Sequence, residues 1–205
     1  MNGIYALKPR FSEALTGVRR SCISLGVTPS HLTWIGVLAG VGAGISLALL
    51  TPGPLAALVV GSLLVVRLAC ANLDGGVARE TGTSTRWGAV ENEAGDRLAD
   101  IALLIGLGVL TGWPVAGLLL FAATLPSWVA LAVTAAGCTR RNGGLMGKSE
   151  RCAAAVMAAL TGWVLLVATA IVLGSVWTAM VRLEHGATEL TGLDALSSSL
   201  SGGVR

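Results

Sequence analysis

Charge is what this chain has least of. Only 12% of its 205 residues are Asp, Glu, Lys or Arg, about half the share of a soluble domain. With 54% hydrophobic residues and a mean hydropathy of +0.77, that scarcity excludes an ordinary soluble domain. It places the chain among polytopic membrane proteins. No basic block is present and the net charge is a modest +3, so nucleic acid is not an expected partner. The four cysteines (Cys22, Cys70, Cys138, Cys152) lack metal-ligand spacing and read as small packing residues. Residues 1–28 carry Lys8, Arg10, Arg19 and Arg20 without an apolar core and cleavage site, so no cleavable leader is expected. No internal repeat is evident.

What the chain has is apolar length and small residues. Six apolar segments run from about His31 to Leu50, Leu55 to Arg79, Gly88 to Leu110, Val115 to Ala136, and then two between Glu150 and Glu184. The last stretch is short for two spans of about 20 residues. Thr161-Gly162-Trp163 or Gly174-Ser175 marks the break; one long helix, giving five spans, is the alternative. The 28 glycines suit close helix packing in lipid. Before the spans, Ile4, Leu7, Phe11, Leu15, Val18 and Cys22 recur at helical spacing among basic residues. This predicts an amphipathic helix on the membrane surface, with a cytosolic helix packed on the spans as the alternative. The layout is then an interfacial segment over 1–28, a transmembrane domain over 29–185 and a flexible tail over 186–205.

Charge placement sets the topology. The loops after the first and third segments contain no Lys or Arg, while the N-terminal segment, Arg79, Arg86, Arg140, Arg141, Lys148, Arg151 and Arg182 all fall on the other side. By the positive-inside rule both termini are cytoplasmic. That requires an even number of spans and favours six.

A few charges fall within the apolar segments. A charged residue at a span centre costs roughly 2.5–3.5 kcal/mol, so Arg67, Asp74, Asp96 and Asp100 are expected to face a protein interior and to serve a function. Arg67, Ala71, Asp74 and Ala78 share one face of the second span; Asn92, Asp96 and Asp100 share one face of the third. As antiparallel neighbours joined by a short loop, the two spans can bring these faces together. Carboxylates converging there suit a hard cation such as Mg²⁺ or Mn²⁺, which binds substrate phosphates. Gly75 and Gly76 allow close backbone approach, and Arg79 offers a planar fork to a phosphate. For Arg67, donor-phosphate binding and a structural ion pair with Asp74 or Asp100 both remain open. Arg97, four residues after Glu93, predicts a helix-surface pair.

Ala71-x2-Asp74-Gly75-x2-Ala78-Arg79-x8-Gly88-x3-Asn92-x3-Asp96 resembles the CDP-alcohol phosphotransferase signature D-x2-D-G-x2-A-R-x8-G-x3-D-x3-D. Six of its eight fixed positions are kept, with both long spacings. Val27-Thr28-Pro29-Ser30-His31-Leu32-Thr33 is similar to the V-T-P-N-x-x-T of the family's first span, and Gly147-Lys148 to the Gly-Lys opening its fifth. Tyr5, Leu7, Lys8, Pro9 and Phe11 resemble the start of a bacterial subgroup.

The resemblance implies an all-α integral membrane enzyme that displaces CMP from a CDP-linked alcohol, such as CDP-diacylglycerol, with the hydroxyl of a small acceptor alcohol. It implies Mg²⁺ or Mn²⁺ at Asp74 and Asp96, with Asp96 as general base; Asn92 and Asp100 are expected to add oxygens to the same metal site. It implies a CDP site at Asp74, Gly75, Ala78, Arg79, Gly88 and Thr33, and an acceptor-phosphate site at Lys148, Arg140, Arg141 and Arg151. The setting is the inner (plasma) membrane, with the active site on the cytoplasmic side, and a homodimer. The first and third signature aspartates are Ala71 and Asn92 here. Ala71 cannot ligate, and Asn92 offers only a neutral oxygen. An active transferase with a rearranged site is therefore weighed against an inactive member that binds CDP-lipid or acts as a partner scaffold. A transporter with an Asp96–Asp100 proton relay is the third reading.

Overall fold

The computed structural model describes residues 8–140 and 143–202; Tyr5, Leu7 and Arg141 lie outside them. Regular structure among the described residues is helical: α1 (Lys8–Ala14), α2 (Thr16–Ser24), α3 (Pro29–Leu49), α4 (Pro54–Glu80), α5 (Arg86–Val109), α6 (Trp113–Ala135), α7 (Lys148–Thr161) and α8 (Val164–Gly202).

Most of the helix starts have a local cause. At α3, the Thr28 side chain accepts from the His31 N–H at 3.2 Å and His31 Nδ1 accepts from the Thr28 N–H at 3.4 Å, with Pro29 as the first helical residue. Pro54 and Pro114 open α4 and α6 in the same way. Thr85 caps α5 by accepting the Gly88 N–H at 2.9 Å. The Glu150 carboxylate accepts the Gly147 N–H at 3.1 Å at the start of α7.

Four helices (α3, α4, α6, and α8 as far as Leu193) are long and apolar enough to cross a membrane. Their positions match expected segments. α5 and α7 do not qualify, for separate reasons. α5 carries Glu91, Glu93, Asp96, Arg97 and Asp100. α7 has 14 residues, about 21 Å of helix against a hydrocarbon core of about 30 Å.

The break before the last helix falls at Gly162, which takes φ 73°, a left-handed value that glycine adopts without a Cβ clash. Gly174-Ser175 lies inside α8. Residues 186–202, expected as a loose tail, continue α8. No proline interrupts them, and an isolated glycine costs a helix only about 1 kcal/mol. Glu189 ties this extension to the α6–α7 connection by accepting from both N–H and Oγ1 of Thr139 at 2.9 Å.

The N-terminal helical pattern divides at Leu15 into α1 and α2. Leu15, Cys22 and Ile23 pack against Leu32, Cys70, Leu73 and Val77 of α3 and α4, so much of this apolar face is covered by protein. Val18 and Leu25 remain exposed.

α3 organises the bundle. It packs along both α4 and α5, which hardly touch each other. The expected direct α4–α5 packing is replaced by a gap whose back wall is α3. Small residues permit this. A Cβ on Gly44 would lie 2.2 Å from the Ala102 carbonyl oxygen, and one on Gly106 would lie 2.1 Å from the Gly44 oxygen. The outer surface is apolar, with Trp34, Leu38, Leu49, Leu58, Leu165 and Leu166 exposed, while Arg67, Asp74, Asp100 and Arg151 are buried. This distribution suits a bilayer rather than water.

Candidate active site

The gap between α4 and α5 is a narrow, partly open pocket. Arg67, Ala71 and Asp74 line it from α4, Asn92, Asp96 and Ala99 from α5, and Thr33, Gly36 and Val37 from α3. The heptad-like spacing on α4 and the one-turn spacing on α5 thus bring Ala71, Asp74, Asn92 and Asp96 to one cavity.

Asp74 is buried. Thr33 Oγ1 donates to its Oδ2 at 3.1 Å, which orients the carboxylate and links α3 to α4. Asp96 is less enclosed, and Lys148 Nζ donates to its two oxygens at 2.7 and 2.8 Å. Lys148 is the first residue of α7, so the loop end of that helix reaches the pocket.

Asp100 does not line the pocket. Its two oxygens accept from Arg67 at 2.5 Å and from Arg151 at 2.6 Å. Arg67 also donates to Cys152 Sγ at 3.0 Å. Asp100 is therefore engaged as the centre of a buried ion network, not as a free ligand. Arg151, expected to meet an acceptor phosphate, is 3% exposed and is held inside by the same network. Arg67 resolves in part: it pairs with Asp100, yet also lines the pocket.

The remaining expected residues lie around the rim. A Cβ on Gly75 would be 3.2 Å from Nη1 of Arg79, so the bare glycine leaves room for that guanidinium one turn on. Arg79 is exposed, Ala78 half-buried, and Gly88 sits in the first turn of α5. None of the three is among the pocket-lining residues. Arg140 pairs with Glu93 at 2.6 Å, and Arg97 with Glu93 at 3.3 Å as the spacing predicts. The Arg67–Asp100 pair is one of the two ion pairs the sequence left open for Arg67, whereas sequence reasoning missed the Lys148–Asp96 bond and the Asp100–Arg151 arm. Their partners are distant in sequence, and periodicity carries no signal for them.

Asp74 and Asp96 give two carboxylates and Asn92 a neutral carbonyl oxygen at one cavity. Among the described residues no group of three or more His, Cys, Asp or Glu is placed to hold a metal ion by itself. This fits a single hard cation that keeps water and takes substrate oxygens, as Mg²⁺ does. It does not fit two ions held by protein carboxylates.

No protein-family model matches the chain. Individual relatives do. It is 31% identical over 150 residues to the Escherichia coli inner membrane protein YnbA, covering 72% of this chain and 74% of the relative. It is 30% identical over 147 residues to the Pyrococcus horikoshii archaetidylinositol phosphate synthase, covering 71% and 76%. With the Corynebacterium glutamicum phosphatidylinositol phosphate synthase it shares 32% over 203 residues, covering 89% and 88%. Its fold matches Mycobacterium tuberculosis phosphatidylinositol phosphate synthase solved with CDP-DAG bound (TM-score 0.66, 24% identity, 83% of this chain and 92% of that one). The same enzyme in complex with manganese and citrate gives TM-score 0.67 at 24% identity, covering 84% and 88%. The helical bundle and its pocket define a multi-pass membrane protein with a polar site sunk among apolar helices. The chain belongs to the CDP-alcohol phosphotransferase family of membrane enzymes.

Proposed function

We propose that this protein transfers the phosphatidyl group of a CDP-diacylglycerol-type donor to the hydroxyl of a phosphorylated polyol, with release of CMP. The observation that carries the reading is the convergence of Asp74, Asn92 and Asp96 on one pocket, with Lys148 seated on Asp96. The names of the relatives, synthases of inositol phosphate lipids, support the acceptor class. No observation favours the alternative of an inactive scaffold.

In the transfer, the acceptor hydroxyl oxygen forms a bond to the lipid-side phosphorus, and the pyrophosphate bond to CMP breaks. Asp96 takes the hydroxyl proton. Its contact with Lys148 links the two substrates: an acceptor phosphate that engages the Lys148 ammonium leaves the Asp96 carboxylate available as base. Arg140 at the rim joins Lys148 in attracting that phosphate. Thr33 holds Asp74 in orientation, and Gly75, Ala78, Arg79 and Gly88 flank the cytidine end of the donor. Mg²⁺ or Mn²⁺, held by Asp74, Asp96 and Asn92, would neutralise pyrophosphate charge when bound. The donor's acyl chains lie along the apolar outer face.

The same reading has six membrane-embedded helices, with α5 and the short, 14-residue α7 completing the bundle and their charged ends turned to the site. It places both termini and the pocket on the cytoplasmic side of the inner membrane, in line with the Lys and Arg distribution, and α1–α2 at that surface. It includes a homodimer, for which open lipid-facing positions such as Gly117 on α6 leave room.

The test is CMP release by purified protein supplied with CDP-diacylglycerol, Mg²⁺ or Mn²⁺, and a panel of phosphorylated and unphosphorylated alcohols. CMP release with a phosphorylated polyol is expected. No release with any acceptor would end the transferase reading.

A further inference from the structure

The buried charges beside the pocket are two arginines, Arg67 and Arg151, and two aspartates, Asp74 and Asp100. Arg67 and Arg151 are 1% and 3% exposed and share one carboxylate, Asp100. Arg97 approaches Asp100 at 3.5 Å but has Glu93 as its own partner. The two guanidiniums thus share Asp100 as their direct partner, while Asp74 accepts from Thr33 across the pocket. The Nε of Arg67 is buried with no hydrogen-bond partner. Arg67 also lines the pocket beside Thr33, Asp74, Asn92 and Asp96. Ala71, one turn further along the same face, has no carboxylate to offset the Arg67 charge or to recruit a cation.

We propose that Arg67 is a donor-phosphate-binding residue. Its guanidinium meets the pyrophosphate of the CDP-linked lipid at the pocket floor, and supplies fixed positive charge on the wall where position 71 cannot hold a metal. An always-charged planar fork suits phosphate oxygens. Asp100 is then a positioning residue that holds Arg67 in place, with Arg151 anchoring Asp100 from behind. This inference deepens the transferase reading and rests on it.

The test is titration calorimetry of the full-length, detergent-solubilised protein with CDP in Mn²⁺ buffer, for wild type, Arg67→Met and Arg67→Lys, together with thermal unfolding without ligand. Arg67→Met is expected to weaken CDP binding roughly ten- to a hundredfold, with Arg67→Lys in between. Arg67→Met also removes a buried partner of Asp100 and Cys152, so its Tm is expected to fall, and the CDP affinity of the folded protein is the deciding readout. A lower Tm with unchanged CDP affinity would show a purely structural arginine and overturn the proposal. Should Arg67→Met fail to fold, Arg67→Lys decides: affinity equal to wild type overturns it. Absence of CDP binding by the wild type removes the transferase reading itself; equal binding by wild type and variants removes only the role of Arg67.

Discussion

Lys148 Nζ sits 2.7 and 2.8 Å from the two oxygens of Asp96, so the first residue of α7 is clamped to the proposed base on α5. In the proposed transfer the pair joins the donor and acceptor sites. Lys148→Gln is expected to raise KM for a phosphorylated acceptor about tenfold or more, the loss of one charge-assisted contact. KM for the donor should change much less. Steady-state kinetics with each substrate varied in turn checks this. Equal effects on both would mean that Lys148 only shapes the pocket.

Asp100 is predicted to be a stability residue. Asp100→Asn leaves Arg67 and Arg151 buried with their shared counterion gone. Breaking a buried pair in this way costs about 3–5 kcal/mol. Arg97→Gln, whose side chain is 24% exposed and reaches Asp100 only at 3.5 Å, should cost less, about 1 kcal/mol. Thermal unfolding in detergent separates the two; an Asp100→Asn Tm equal to wild type would refute the network's structural role.

The α3–α5 crossing gives a steric prediction. Gly44→Ala places a Cβ 2.2 Å from a carbonyl oxygen of the neighbouring helix. A main-chain clash cannot be relieved by a rotamer change, and overpacking of this kind costs about 1–3 kcal/mol or more. Gly117→Ala meets nothing within 4 Å and should be neutral or stabilising by up to about 1 kcal/mol. The yield of monodisperse protein and its Tm report both.

Metal stoichiometry follows from the donor set. Manganese titration followed by electron paramagnetic resonance should find one tight Mn²⁺ per chain, because two carboxylates and one amide oxygen serve one ion. Two tight ions per wild-type chain would contradict the assignment.

Much of this was legible in the sequence. Thr28-Pro29, Gly53-Pro54 and Gly112-Trp113-Pro114 mark helix starts by chemistry that acts within one turn. The spacing of Arg67, Ala71 and Asp74, and of Asn92 and Asp96, put those residues on faces that do line one pocket. Asp100 shows where periodicity stops. Eight residues at 100° each turn it roughly 80° from Asn92, away from the pocket and towards Arg151. The α4–α5 gap was not legible either, because it depends on how closely Gly40 and Gly44 let α3 approach α5. Nor was the helical continuation of α8, where serine and glycine content resembles a loose tail but the docking of Glu189 against Thr139 is a tertiary contact.

The most direct test of the central claim is CMP release from CDP-diacylglycerol in Mn²⁺ by wild type, Asp74→Asn and Asp96→Asn, with the preferred acceptor at saturation. Both substitutions keep side-chain size and remove one carboxylate from the pocket. The account predicts turnover by the wild type and a fall of roughly 10²–10⁴-fold for Asp96→Asn, with a comparable loss for Asp74→Asn. Undiminished CMP release by either variant would contradict it.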